Sequence, residues 1–209
     1  MNRIISMLGI IDVNTGNLGS LYSALNKLGF KYKICKNIFD FEKVEKIILP
    51  GVGAFGDLMN KIKKNKIDLK IKEKVVANVP ILGLCAGYQI LFSDSDEHGN
   101  HKGLNLINGN IRNFKKHSND IKIPHVGWNE CNYIKQNNLF YDIKNNSDFY
   151  FTHSYALYEA DEKIILTYTN YDKKFISSVN YNNIYGVQFH PEKSQLNGLK
   201  LLKNFYERC

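Results

Sequence analysis

Apolar positions change period in a regular order along the first half of the chain. Residues 7–13 form a nearly continuous apolar run of strand length, the pattern of a strand covered on both faces. Leu18, Leu21, Tyr22, Leu25 and Leu28 then recur three and four apart, which predicts a helix closed by Gly29. Short apolar runs at 32–35, 47–49 and 81–84 predict further strands. Pro50-Gly51-Val52-Gly53-Ala54-Phe55-Gly56 reads as a glycine-rich loop, followed by one long helix over 58–76 and, after Gly87, by an amphipathic helix. Strand, helix, strand, loop, helix, strand, turn, helix is the order of a parallel sheet with helices on both faces.

Beyond residue 99 the texture changes. Short β-rich pieces at 104–108, 149–153, 164–169, 175–180 and 184–189 are punctuated by Asn, Asp and Gly, and a closing helix is expected over 199–206. The expected fold is therefore α/β: a mostly parallel sheet flanked by helices, with a small antiparallel β layer. With no internal repeat and no linker, residues 1–209 read as one domain.

Composition narrows the function classes. Hydrophobic residues make up 44% and charged residues 23%, ordinary for a globular protein, and this argues against disorder. The net charge of +8 could suggest nucleic acid, but the lysines are spread out. The densest set, Lys61 to Lys74, alternates with Ile62, Ile67, Leu69 and Ile71, as on a solvated helix face. Cys35, Cys85, Cys131 and Cys209 form no C-x-x-C pair, which excludes a zinc ribbon or a redox dithiol. His98, His101, His117 and His125 lack metal-ligand spacing, so no metal and no cofactor is expected. No apolar run approaches the roughly 18 residues of a membrane span, and the N-terminus lacks a signal-peptide pattern. A cytoplasmic, reduced protein is expected.

The chemistry concentrates in Gly83-Leu84-Cys85-Ala86-Gly87, at the end of an expected strand. This is a G-x-nucleophile-x-G elbow with cysteine as the nucleophile, and its glycines permit the sharp turn. The N-terminus of the following helix favours negative charge on the sulfur, and the Ala86 amide is free for an oxyanion. A thiol nucleophile needs a base, and the base an orienting acceptor. His190 and Glu192, two apart in an extended segment stiffened by Pro191, would project to the same side and supply both. Each piece has a plainer reading. Most unpaired cysteines are small buried hydrophobes, and a lone histidine at a strand end is usually structural.

Together these motifs resemble the class I, triad glutamine amidotransferases, in which G-x-C-x-G and H-P-E supply cysteine, histidine and glutamate. Within them the chain is most similar to the glutaminase subunits of imidazole glycerol phosphate synthase. That similarity is carried by Asp12-Val13-Asn14-Thr15-Gly16-Asn17-Leu18, Leu49-Pro50-Gly51-Val52-Gly53-Ala54-Phe55, Pro124-His125-Val126-Gly127-Trp128-Asn129, His153-Ser154-Tyr155 and Gly186-Val187-Gln188-Phe189-His190-Pro191-Glu192-Lys193-Ser194.

The resemblance implies a flavodoxin-like fold and a Cys85, His190, Glu192 triad that hydrolyses L-glutamine to glutamate and ammonia. It implies an oxyanion hole from the backbone of Ala86 and of Gly51 or Val52. Gln89, Glu97, Ser154 and Tyr155 would bind the substrate. The implied partner is a (β/α)8-barrel cyclase of histidine biosynthesis that consumes the ammonia, in a heterodimer, with Asn14, Asn17, His125, Trp128 and Lys193 facing it. Where the family usually shows C-L-G-M-Q, this chain has Cys85-Ala86-Gly87-Tyr88-Gln89. Three other readings stay open: a paralogue feeding a sugar amidotransferase in surface-glycan synthesis, a cysteine peptidase or γ-glutamyl hydrolase, and a non-catalytic module.

Overall fold

The computed structural model describes residues 7–14, 16, 18–116 and 121–209. Its first half contains β1 (Leu8–Ile11), α1 (Gly19–Lys27), β2 (Tyr32–Cys35), β3 (Lys46–Gly51), α2 (Phe55–Lys64), α3 (Ile67–Val76), β4 (Ile81–Cys85) and α4 (Ala86–Gln89). The second half adds β5 (Asp94–Ser95), β6 (His101–Lys102), β7 (Asn110–Asn113), β8 (His125–Tyr133), β9 (Ser147–His153) and β10 (Tyr155–Leu157). It closes with β11 (Ile165–Tyr171), β12 (Lys173–Tyr181), β13 (Ile184–Val187) and α5 (Gln195–Arg208).

Five strands in the order β2-β1-β3-β4-β13 are parallel, and β12 joins β13 antiparallel. β10, β7, β5 and β6 continue that sheet, while β11 leads from β12 to β8 and β9 in an antiparallel layer. Strand alternation divides the core into two faces. Leu8, Ile10, Ile48, Leu82 and Leu84 pack with α1, α5 and the β8–β9 layer. Ile11, Ile47, Leu49 and Ile81 pack with α2, α3 and α4. Burying a side chain of this kind contributes about 1.5–3 kcal/mol. Among the described residues, no helix is long and apolar enough to cross a membrane.

Three expected elements come out differently. The helix expected over 58–76 is two helices, broken at Lys66, which is left-handed with φ 55°. Ile62 and Ile67 are five apart, so an unbroken helix would place them about 140° from each other; the break returns both to the core. Leu69 is the exception on that face and is exposed. The segment after Gly87 is a single helical turn, because Tyr88 and residues 89–92 are buried on every side and offer no polar face. Residues 104–108 form no strand. Leu104 N–H instead donates to the Ile90 carbonyl (2.8 Å), and Leu106 N–H to that of Leu91 (2.9 Å), which closes the short turn. The nine-residue β8 was not foreseen as a strand.

Tyr88, the departure from the family pattern, is accommodated by the sheet. Its hydroxyl donates to the Ile176 carbonyl on β12 (3.0 Å), and its ring meets Phe92 edge-on at 5.1 Å. Gly186 on β13 makes the room: a Cβ there would lie 2.4 Å from Tyr88 Cδ2. Gly186→Ala is therefore expected to cost about 2 kcal/mol by overpacking. Adding Tyr88→Met should recover most of that loss in urea denaturation; simple additivity of the two substitutions would refute the contact.

Candidate active site

Cys85 closes β4 with φ 53° and ψ −111°, a conformation that costs a non-glycine residue about 1–3 kcal/mol. Packing imposes it. A Cβ on Gly87 would lie 1.8 Å from the Leu49 carbonyl, one on Gly51 2.3 Å from Gly87 N, and one on Gly83 2.7 Å from Gly87 O. The elbow is thus pressed against the end of β3. Gly51 pairs in register with Cys85, which sets the Gly51-Val52 peptide beside the elbow.

The buried His190 donates from Nδ1–H to Glu192 Oε1 (2.8 Å). Glu192 reaches it from a one-turn 3-10 helix, Pro191–Lys193, rather than from the expected extended segment. That turn is pinned to β9: His190 N–H donates to the Tyr150 carbonyl (2.8 Å), Ser194 Oγ–H to the His190 carbonyl (2.6 Å) and Tyr150 N–H to Ser194 Oγ (3.0 Å). Burial pulls the His190 pKa down, but the neighbouring Cys85 and then Glu192 outweigh it and push the value up to about 10. The ring is thus held as a cation beside the sulfur. Nε2 is buried and makes no hydrogen bond within the protein.

One cavity of about 390 Å³ collects the expected residues. Cys85, His190, Glu192, Gly51, Val52, Ala86, Gln89, Glu97, Ser154 and Tyr155 all line it. Glu97 Oε2 also accepts the Phe55 N–H at the start of α2 (2.7 Å), a favourable place for a carboxylate. Gln89 donates from Nε2 to the Tyr155 carbonyl (2.9 Å) and to Gln188 Oε1 (3.0 Å).

The expected partner-facing residues divide. Trp128 is 47% exposed and packs edge-on against Tyr150 at 6.0 Å; Lys193 Nζ lies 5.7 Å above the same Tyr150 ring and also lines the cavity. Asn14 is exposed, and Asn17 falls outside the described residues. His125 is a correction, being only 3% exposed. It occupies an inward position of β8, alternating with exposed Val126 and Trp128, and stacks between Phe151 (4.9 Å) and Tyr171 (3.9 Å).

His125 belongs to an internal chain. His153 Nδ1–H donates to the Tyr155 carbonyl (2.8 Å), which leaves Nε2 as an acceptor for His125 Nδ1–H (3.1 Å). Burial pulls His125 down to about 4. Burial, and then His125 beside it, pull His153 down to about 3. Both rings are neutral at pH 7. Burial also raises three thiols, Cys35 and Cys209 to about 11 and Cys131 to about 12.

A family model described as "Glutamine amidotransferase class-I" matches residues 9–209. This chain belongs to that family. It is 42% identical over 202 residues to "Imidazole glycerol phosphate synthase subunit HisH" of Leptospira borgpetersenii, covering 95% of this chain and 98% of the relative. The protein of the same name from Methanocaldococcus jannaschii is 46% identical over 204 residues, covering 96% and 99%. Among solved structures, "Structure of PurLQS from Thermotoga maritima" superposes with a TM-score of 0.75 at 19% identity, covering 97% of this chain and 98% of that one, and shares the fold.

Sequence reasoning on this amidotransferase passed over Gln188, Ser194 and the His125–His153 pair as contributors to the site. Gln188 and Ser194 stand inside the quoted segment 186–194, on either side of H-P-E. The histidine pair has no local signal, because 28 residues separate its members.

The histidine pair sets a pH dependence. Each folded value lies below the unfolded one of about 6.5, so this stabilisation is present above pH 6.5 and is lost as pH falls through the folded values. Between pH 7 and pH 5 the loss should reach roughly 2 kcal/mol per ring. His190 shifts the opposite way and adds back about 1 kcal/mol over this window, less than either ring of the pair loses. Urea midpoints should fall on acidification, and by less in a His125→Phe variant; an equal fall in both would contradict the assignment.

Proposed function

We propose that this amidotransferase is the glutamine-hydrolysing subunit of a cytoplasmic imidazole glycerol phosphate synthase, with Cys85, His190 and Glu192 as its triad. The observation that carries the reading is the His190–Glu192 hydrogen bond (2.8 Å) on the same cavity as the strained Cys85. The synthase name borne by the relatives favours this client over a surface-glycan one. The His190 cation beside the sulfur is the charge against which the attacking thiolate forms.

The thiolate adds to the side-chain amide carbon of glutamine. The oxyanion is held by the N–H of Ala86 and one from Gly51 or Val52; each such donor is worth about 3 kcal/mol. His190 gives its proton to the departing nitrogen as ammonia leaves, producing a γ-glutamyl thioester. It then takes a proton from the water that releases glutamate and restores the thiolate. Glu192 fixes the ring and favours its charged form. Gln89, Glu97 and the Ser154-Tyr155 backbone hold the substrate's polar ends.

Ammonia loses its nucleophilicity once protonated in water, so release is useful only into a consuming partner. A (β/α)8-barrel cyclase is proposed to dock on the face that carries Asn14, Trp128 and Lys193, forming a heterodimer in which the Gly51-Val52 peptide reorients to complete the oxyanion hole. Glutamate release from glutamine tests the chemistry: Cys85→Ala and His190→Ala should each reduce it at least a thousandfold, and Glu192→Gln less severely. Full turnover by Cys85→Ala would dismiss the triad. For the docking face, Trp128→Ala should weaken association with the cyclase by about 2 kcal/mol or more in calorimetry, while unaltered affinity would move the interface elsewhere.

A further inference from the structure

Gln188 has no role in the triad chemistry, yet its side chain is completely buried against the nucleophile and the cavity-lining Gln89. It follows β13, and its backbone N–H is tied to the Ser177 carbonyl at 2.9 Å. The side-chain amide has two partners. Oε1 accepts from Gln89 Nε2 (3.0 Å), and Nε2 donates to Cys85 Sγ (3.9 Å). Gln89 also donates to the Tyr155 carbonyl (2.9 Å), so its nitrogen is held in place and demands an acceptor from Gln188. Flipping the Gln188 amide would set two N–H groups against each other. Its own N–H is thereby directed at the sulfur.

Besides the His190 ring, the sulfur also meets the Thr152 carbonyl at 3.8 Å. A carbonyl accepts only, so it suits the S–H form. An amide N–H donates only, so it suits S⁻, and a bond to the charged form is the stronger of the two. We infer that Gln188 is a positioning residue for Cys85: its amide, locked by Gln89, holds the sulfur as a thiolate aimed into the cavity. This rests on the reading of Cys85 as the nucleophile, and it adds a second thiolate-holding group beside His190.

The test is the rate at which iodoacetamide alkylates Cys85 in the full chain at pH 7, read by mass spectrometry of the peptide that carries it, with Cys209 as the internal reference. Alkylation reports the thiolate without requiring glutamine binding or turnover. Gln188→Met keeps the length but removes the donor, and should slow alkylation about tenfold. Gln188→Glu keeps the shape and still accepts from Gln89 but sets a carboxylate against the sulfur, and should slow it further. In both, the deficit should shrink as pH is raised. A purely structural role predicts the opposite order, with Gln188→Glu near the wild-type rate, and that result overturns the inference. Should Gln188→Met fail to give a cooperative melt, the Gln188→Glu comparison decides alone. If wild-type Cys85 reacts no faster than Cys209, the nucleophile reading falls and the inference with it. If wild-type Cys85 is fast and both variants match it, the inference alone falls.

Discussion

The steric interlock between the end of β3 and the elbow governs this molecule. The Leu49 carbonyl occupies the space a side chain at 87 would need, and the Gly87 amide fills that at 51. Two backbones this close leave Cys85 no relaxed conformation, so its φ is forced positive and its side chain is turned toward the cavity. The same proximity brings the Gly51-Val52 peptide alongside the thiol. Strain at the nucleophile and readiness of the neighbouring amides are thus one effect of one contact. The surrounding core, with strands buried on both faces, holds that contact closed.

Electrostatics then sorts the histidines by the company they keep. His190, His153 and His125 are all buried, and burial alone makes each of them less basic. His190 faces a thiol and a carboxylate and ends up charged. The other two face each other, a backbone carbonyl and aromatic rings, and stay neutral. The neutral pair completes a run of hydrogen bonds from β8 to the Tyr155 carbonyl, where Gln89 also bonds. The outer face of β8 carries Val126 and Trp128, and its ladder partner Thr152 touches Cys85. The proposed docking strand therefore lies one strand away from the nucleophile.

Much of this was legible in the sequence because it is local. Continuous apolar runs marked β1 to β4 and a period-3.6 pattern marked α1, and G-x-C-x-G and H-P-E marked the ends of the two strands that flank the cavity. Failures came where tertiary contacts override local pattern. The stripe around Ile62 and Ile67 looks continuous, but the five-residue step between them needs the break at Lys66 to bring both into one core. Residues 104–108 have strand-like composition, but the N–H groups of 104–107 are consumed by the carbonyls of 90, 91 and 92. His125 sits in a motif read as surface, and the inward phase of β8 buries it. The Gln89–Gln188 pair, 99 residues apart, has no signature short of the folded chain.

The four cysteines also differ in their exposure to oxidative chemistry. Cys35, Cys131 and Cys209 are kept as thiols by burial, and only Cys85 has a cationic ring at its side. Peroxide reacts with thiolates, so a sulfenic acid would form first at 85. All four cysteines are free, so trapping that product as a disulfide would call on one of the three thiols that burial keeps protonated. Oxidative stress would thus silence nitrogen release at a single sulfur.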